Sequence, residues 1–148
     1  MRPATFALVV LTLLAAGGAG RADAGEDGQM LYVLHCSGCH GRQGAAATVG
    51  RIPALAGNIG YFMETADARI FLPQAPGVMN SGLGDADVAT LMNWLVPTLA
   101  RGSLSEPFKP YTAEEIARSR ANRPADFFAA RRKVAAELRG RGIELPGY

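Results

Sequence analysis

Apolar positions along this chain recur at helical spacing and nowhere alternate as they would in a strand. The clearest case is GDADVATLMNWLVP, where Val88, Leu91, Met92 and Leu95 follow the i, i+3, i+4, i+7 pattern of one helix face. Asp85 and Asp87 fall in its first turn, where carboxylates complement the helix dipole, and Pro97 is expected to close it. Upstream, Met30, Leu31, Val33 and Leu34 lie largely on one side of a short helix, with Asp27 near its start to cap it or favour its dipole. Another helix is expected from Asn58, as cap, to about Leu72, ended by Pro73. Between these two lies SGCHGRQGAAATVGRIPALAGN, whose glycines and small residues let the backbone approach something closely while supplying little core. The pattern therefore predicts an all-α core of three to five short helices joined by glycine-rich loops.

The pattern breaks at VPTLARGSLSEPFKP, where prolines and small polar residues take over, and resumes differently beyond it. PYTAEEIARSR places Thr112 and Glu115 at capping-box spacing. PADFFAARRKVAAELRGRG predicts a further helix with Pro124 near its start. Phe127, Phe128, Val134 and Leu138 offer it an apolar side, and Arg131, Arg132, Lys133, Arg139 and Arg141 make the rest basic. The organisation expected is a leader over residues 1–24, a core over 25–100 and a basic helical extension over 101–148.

The leader reads as an export signal. Arg2 is followed by PATFALVVLTLLAAGGAG, an apolar run of about 13 residues at its densest, and then by the small-x-small site ADA, with cleavage expected after Ala24. The run is shorter than the ~20 apolar residues of a membrane span. Export places the protein in an oxidising compartment, here read as the periplasm.

Composition agrees with a single exported domain: 49% hydrophobic and 19% charged residues are the proportions of a folded soluble protein. The net charge of +2 gives no ground for nucleic-acid binding, but it is unevenly spread. From Gly25 to Ala100 three basic residues face six acidic ones and there is no lysine; from Arg101 onward ten basic residues face six acidic ones. A core of roughly 75 residues with long Gly/Ala-rich connections buries little apolar area and needs a staple or a large apolar object at its centre.

The candidate for that object is written in LYVLHCSGCHGRQG, which holds both cysteines and both histidines of the chain. A Cys36–Cys39 disulfide would close a tiny loop and gain little from chain entropy. A thioredoxin-like pair lacks its strand-helix-strand context. Structural zinc takes four ligands, which here would mean two cysteines and two histidines crowded into fourteen residues. The fourth reading, CxxCH, is the attachment motif of c-type haem and uses every unusual residue at once. Thiols three residues apart at the end of a helical turn can each form a thioether to one vinyl group of a single haem. His40, immediately after Cys39, then supplies a neutral imidazole as the proximal iron ligand.

With these residues in view, the segment from about Gly28 to Pro97 resembles a small class I cytochrome c of the monohaem family. The resemblance rests on Gly28 and Tyr32 four apart on the first helix, CSGCHG, the IPALAG segment, a methionine loop, and LGDADVATLMNWL as closing helix. It implies a cytochrome c fold in which the first and last core helices cross at nearly right angles beside a covalently held haem. It further implies that Gly28 permits the close crossing with Tyr32 and Trp94 packed at it, and that the carbonyl of Pro53 accepts a hydrogen bond from the second ring nitrogen of His40. The resemblance does not reach past Arg101.

Four methionines compete for the other axial position. Met30 precedes the attachment motif by less than two helical turns and cannot easily cross to the opposite haem face; Met92 belongs to the apolar stripe of the closing helix; Met63 is a weaker candidate in NIGYFMETA. Met79, in PQAPGVMNSGLGD just before the closing helix, lies where the resembled family carries its thioether ligand, and is favoured. His35 is expected at the surface or haem edge. Histidine and thioether together make a one-electron site of raised potential. The expected function is that of a carrier, not an enzyme, between a periplasmic dehydrogenase as donor and a terminal oxidase or other cytochrome as acceptor. The alternative is a small haem enzyme or ligand sensor with an open distal site. The basic extension is expected either to pack with a solvated charged face or to dock an acidic redox partner, with membrane contact less favoured.

Overall fold

The computed structural model describes residues 24–45 and 52–145. The leader expected over 1–24 lies, apart from Ala24, outside the described residues, as do 46–51 and 146–148. Among the described residues every regular element is helical, which makes the fold all-α. None of these helices is long and apolar enough to cross a membrane.

Among the described residues seven α-helices follow one another: α1 Ala24–His35, α2 Ser37–His40, α3 Ala66–Phe71, α4 Pro76–Met79, α5 Asp85–Leu99, α6 Ala113–Ala121 and α7 Phe127–Gly140. Two 3-10 segments, Ile59–Met63 and Leu72–Gln74, flank α3. α5 is the centre of the molecule. Its stripe buries Val88, Leu91, Met92 and Leu95, with Val96 and Leu99 added at the end, and it packs against α1 on one side and α6 on another.

The α1–α5 contact is set by Gly28. A Cβ built on this residue would stand 2.3 Å from Trp94 Cβ and 3.0 Å from the Thr90 carbonyl oxygen, so the two backbones lie closer than any side chain allows. Tyr32, fully buried one turn on, packs its ring against Trp94 with centroids 5.4 Å apart.

Two expected boundaries move. The helix expected from Asn58 to Leu72 is divided: its first turn is 3-10, and α3 starts at Ala66. Thr65, extended at φ −138°, accepts a hydrogen bond from Ala68 N–H at 3.1 Å and so caps α3, while the Asn58 amide donates to the carbonyls of Ala54 and Ala56. Pro97 does not close α5, which runs on to Leu99. The proline removes only its own N–H, and burial of Val96 and Leu99, together with the bond from Gly57 N–H to the Leu99 carbonyl, holds the last turn.

Residues beyond Arg101 share the hydrophobic core with those before it: Tyr111, Ile116, Val134 and Leu138 belong to the same cluster as Tyr32, Phe71 and Leu95. The seam is densely bonded. Asn93 on α5 accepts from Tyr111 N–H and donates to the Tyr111 carbonyl, at 2.7 and 3.0 Å. The buried Gln74 amide donates to the Ser119 carbonyl at 2.8 Å. Arg120 bridges to Asp85 at 2.7 Å, and Arg69 forks onto both oxygens of Glu115 while lying 3.8 Å from the Tyr111 ring. α6 and α7 begin at the capping residues Thr112 and Asp126, whose side chains accept from Glu115 and Ala129 N–H.

Candidate functional site

The cysteine pair sits where α1 ends. Cys36 N–H still bonds back to the Tyr32 carbonyl at 2.9 Å, and α2 follows as one further turn in which His40 N–H bonds to the Cys36 carbonyl, also at 2.9 Å. Residues at i, i+3 and i+4 of a helical turn share a face, so Cys36, Cys39 and His40 point the same way. The buried Tyr32 hydroxyl donates to the Gly41 carbonyl at 2.6 Å and ties the end of this turn back to α1. The Gly44 carbonyl accepts from Leu55 N–H and Ala56 N–H at 2.8 and 2.9 Å, which lays the IPALAG segment alongside. Gly44 itself, at φ 65°, leaves no room for a side chain beneath Leu99.

That placement brings the Pro53 carbonyl to 3.1 Å from His40 Nδ1. A carbonyl can only accept, so Nδ1 carries the proton and Nε2 keeps its lone pair. Burial lowers the imidazole's pKa below its usual value, against the opposing pull of this hydrogen bond, and the ring is neutral at pH 7. Burial also pushes the Cys36 thiol up to about 11, helped by Cys39. Both cysteines are free thiols, and among the described residues no three His, Cys, Asp or Glu side chains gather as a metal would require. Protonated, Cys36 is a poor redox nucleophile.

All four of these residues line one cavity of about 370 Å³, within the range of small-molecule and cofactor pockets. Its walls are mostly apolar: Ile59 and Phe62, Phe71 and Leu72, and Leu91, Met92 and Leu95 from α5. The exposed His35 stands at its edge. A neutral imidazole with a free Nε2 and two thiols on one helical face, opening on a hydrophobic slot, fit a flat apolar group held by two sulfurs and one nitrogen.

Of the four methionines, the structure turns two away. Met63 directs its sulfur to Arg69 Nη1 at 3.4 Å and to the Tyr111 hydroxyl, and Met30 is 55% exposed on α1. Met79 ends α4, half-buried; Ala75 to Val78, just before it, line the cavity, while Met79 is not among the lining residues. Met92 does line it, from within the α5 stripe.

Three residues of the site lie where sequence reasoning expected none: Phe127, Phe128 and Arg131 on α7 line the cavity. Phe127 stacks on Phe71 with ring centroids 4.9 Å apart, which carries α7 over the slot. Their i, i+1, i+4 spacing was a signal of one face, but not of what that face meets.

Comparison with known proteins finds two relatives, both named cytochrome c-552 and both from Thermus thermophilus. One is 28% identical over 145 residues, covering 84% of this chain and 95% of the relative. The other is 28% identical over 128 residues, covering 73% and 96%. Either share is more than the first 100 residues, so the similarity continues past Arg101. No protein-family model matches the chain, and no solved structure does. The two relatives support reading the chain as a c-type cytochrome.

Proposed function

We propose that this chain is an exported monohaem c-type cytochrome that carries single electrons between redox proteins. The observation that carries the reading is the turn Cys36–His40 facing an apolar cavity with the His40 ring already oriented by Pro53. Cys36 and Cys39 would hold the haem as thioethers, each thiol adding across one vinyl double bond with sulfur to one carbon and hydrogen to the other. His40 Nε2 would bind the iron, and Met79, at the end of α4 just after the lining residues Ala75 to Val78, would be its second ligand. A haem held there supplies an iron that gains and loses one electron. The chain fixes the ring of His40 through Pro53, and the apolar side chains of Phe62, Phe71, Leu91 and Leu95 would exclude water and give the iron low-dielectric walls, so that a change of charge would need little rearrangement. The apolar leader supports export to the periplasm, where a dehydrogenase would be the donor and an oxidase or second cytochrome the acceptor. Exposed Arg132 on α7 would offer an acidic partner a complementary charge.

The protein produced with a haem-ligation system should carry one covalent haem by mass, and show a low-spin ferric spectrum. Cys36→Ala or Cys39→Ala should leave one thioether, and the double variant none. A wild-type chain without covalent haem would refute the reading; a high-spin spectrum with rapid carbon monoxide binding would refute the carrier role.

A further inference from the structure

Five basic residues lie on α7 or just past its end, and a helix that merely presented a solvated charged face would turn all of them outward. Arg132, Lys133, Arg139 and, just past its end, Arg141 are exposed. Arg131 is half-buried and lines the cavity beside Phe127 and Phe128. The titratable groups around the cavity are His35, Cys36, Cys39, His40 and Arg131; of these described residues Arg131 alone bears a permanent charge. The helix is fixed in place: Asp126 caps it, Phe127 stacks on Phe71, Lys133 pairs with Asp67 at 2.8 Å, and Val134 and Leu138 are in the core.

A haem brings two carboxylates with it, and a carboxylate against apolar walls is costly unless a cation or water receives it. The planar guanidinium fork matches a carboxylate in geometry and holds it more strongly than a neutral donor would. Building on the haem reading, we propose that Arg131 is a positioning residue that pairs with a carboxylate of the haem, so that the carboxyl-terminal helix is tied to the cofactor it covers. The pair would hold that carboxylate ionised, neutralise it next to the iron, and clamp α7 over the slot.

The test is the reduction potential of the haem-loaded protein followed against pH. Ionisation of a haem carboxylate stabilises the ferric form, so the potential falls as pH rises through its pKa. A neighbouring guanidinium lowers a carboxyl pKa by about one to three units, and in R131Q the step should therefore move up by about one pH unit or more. R131K, which keeps the charge without the fork, should lie between. R132Q removes an equal charge from the exposed side of the same helix and should leave the step where it is. A step unmoved in R131Q, or moved equally in R132Q, would overturn the proposal. A protein that takes up no covalent haem fails the haem reading instead, a result visible in its mass before any potential is measured.

Discussion

Replacing Gly28 by alanine tests the joint on which the site depends. The added Cβ would stand 2.3 Å from Trp94 Cβ, where carbon atoms in contact rest at about 3.5–4.0 Å. Trp94 Cβ is fixed to its backbone, so no rotamer change relieves the overlap; α1 and α5 must move apart by more than an ångström. Overpacking of this kind costs about 1–3 kcal/mol. Alanine in a helix interior recovers up to about 1 kcal/mol over glycine, so an overlap this deep, at the upper end of that range, leaves a net loss of about 2 kcal/mol. Gly38 supplies the control, since a Cβ there meets nothing within 4 Å, and G38A should match or slightly exceed the wild type. Denaturant midpoints of the haem-loaded proteins, followed by far-ultraviolet circular dichroism, give both numbers. Because α1 delivers Cys36 and α5 supplies Leu91, Met92 and Leu95 to the cavity, G28A should also shift the haem spectrum, which G38A should not. Equal midpoints for G28A and the wild type would show that the close crossing does not constrain the fold.

Two further substitutions separate the methionines, and a third probes the seam. M79A should abolish the sulfur-to-iron charge-transfer band of the ferric protein, whereas M92A should keep the band and lose about 2–5 kcal/mol of stability, as a core methionine does; the reverse pattern would transfer the ligand to Met92. The hydrogen bond from Arg69 holds the Glu115 carboxyl below the usual range, so its contribution is complete above the unfolded value of about 4.3 and is lost as pH falls through the lower folded value. E115Q should accordingly be less stable than the wild type at pH 7, by about 1 kcal/mol once solvent exposure is allowed for, and should lose less on acidification. Parallel unfolding curves for the two proteins between pH 7 and pH 3 would remove the pair from the account.

What the sequence displayed most clearly was local. The period of Val88, Leu91, Met92 and Leu95 located α5, and CxxCH located the attachment turn, because both are written over consecutive residues and depend on nothing distant. The boundaries were less legible for the same reason. Asn58 and Thr65 are both capping residues, and which of them starts a helix depends on the carbonyls of Ala54 and Ala56 competing for the Asn58 amide. Pro97 stops an isolated helix, but here burial of Val96 and Leu99 outweighs one missing hydrogen bond.

In the carboxyl-terminal third, composition showed a basic face but not where each charge points, and the reason bears on the site. Its positive balance suggested helices packed on the core with a solvated face, since charge is counted along the chain without regard to direction. Direction is what separates Arg131 from Arg132: one helical step turns a side chain through about 100°, from the cavity to solvent. No local pattern could announce this, because the surface that α7 covers is assembled from Phe71 and Leu72 of the central segment and from Cys39 and His40 at the amino-terminal end. The thinness of the core supplied the missing hint. A core of some 75 residues buries little apolar area and left room for a wall from elsewhere in the chain, and Phe127 and Phe128 supply one.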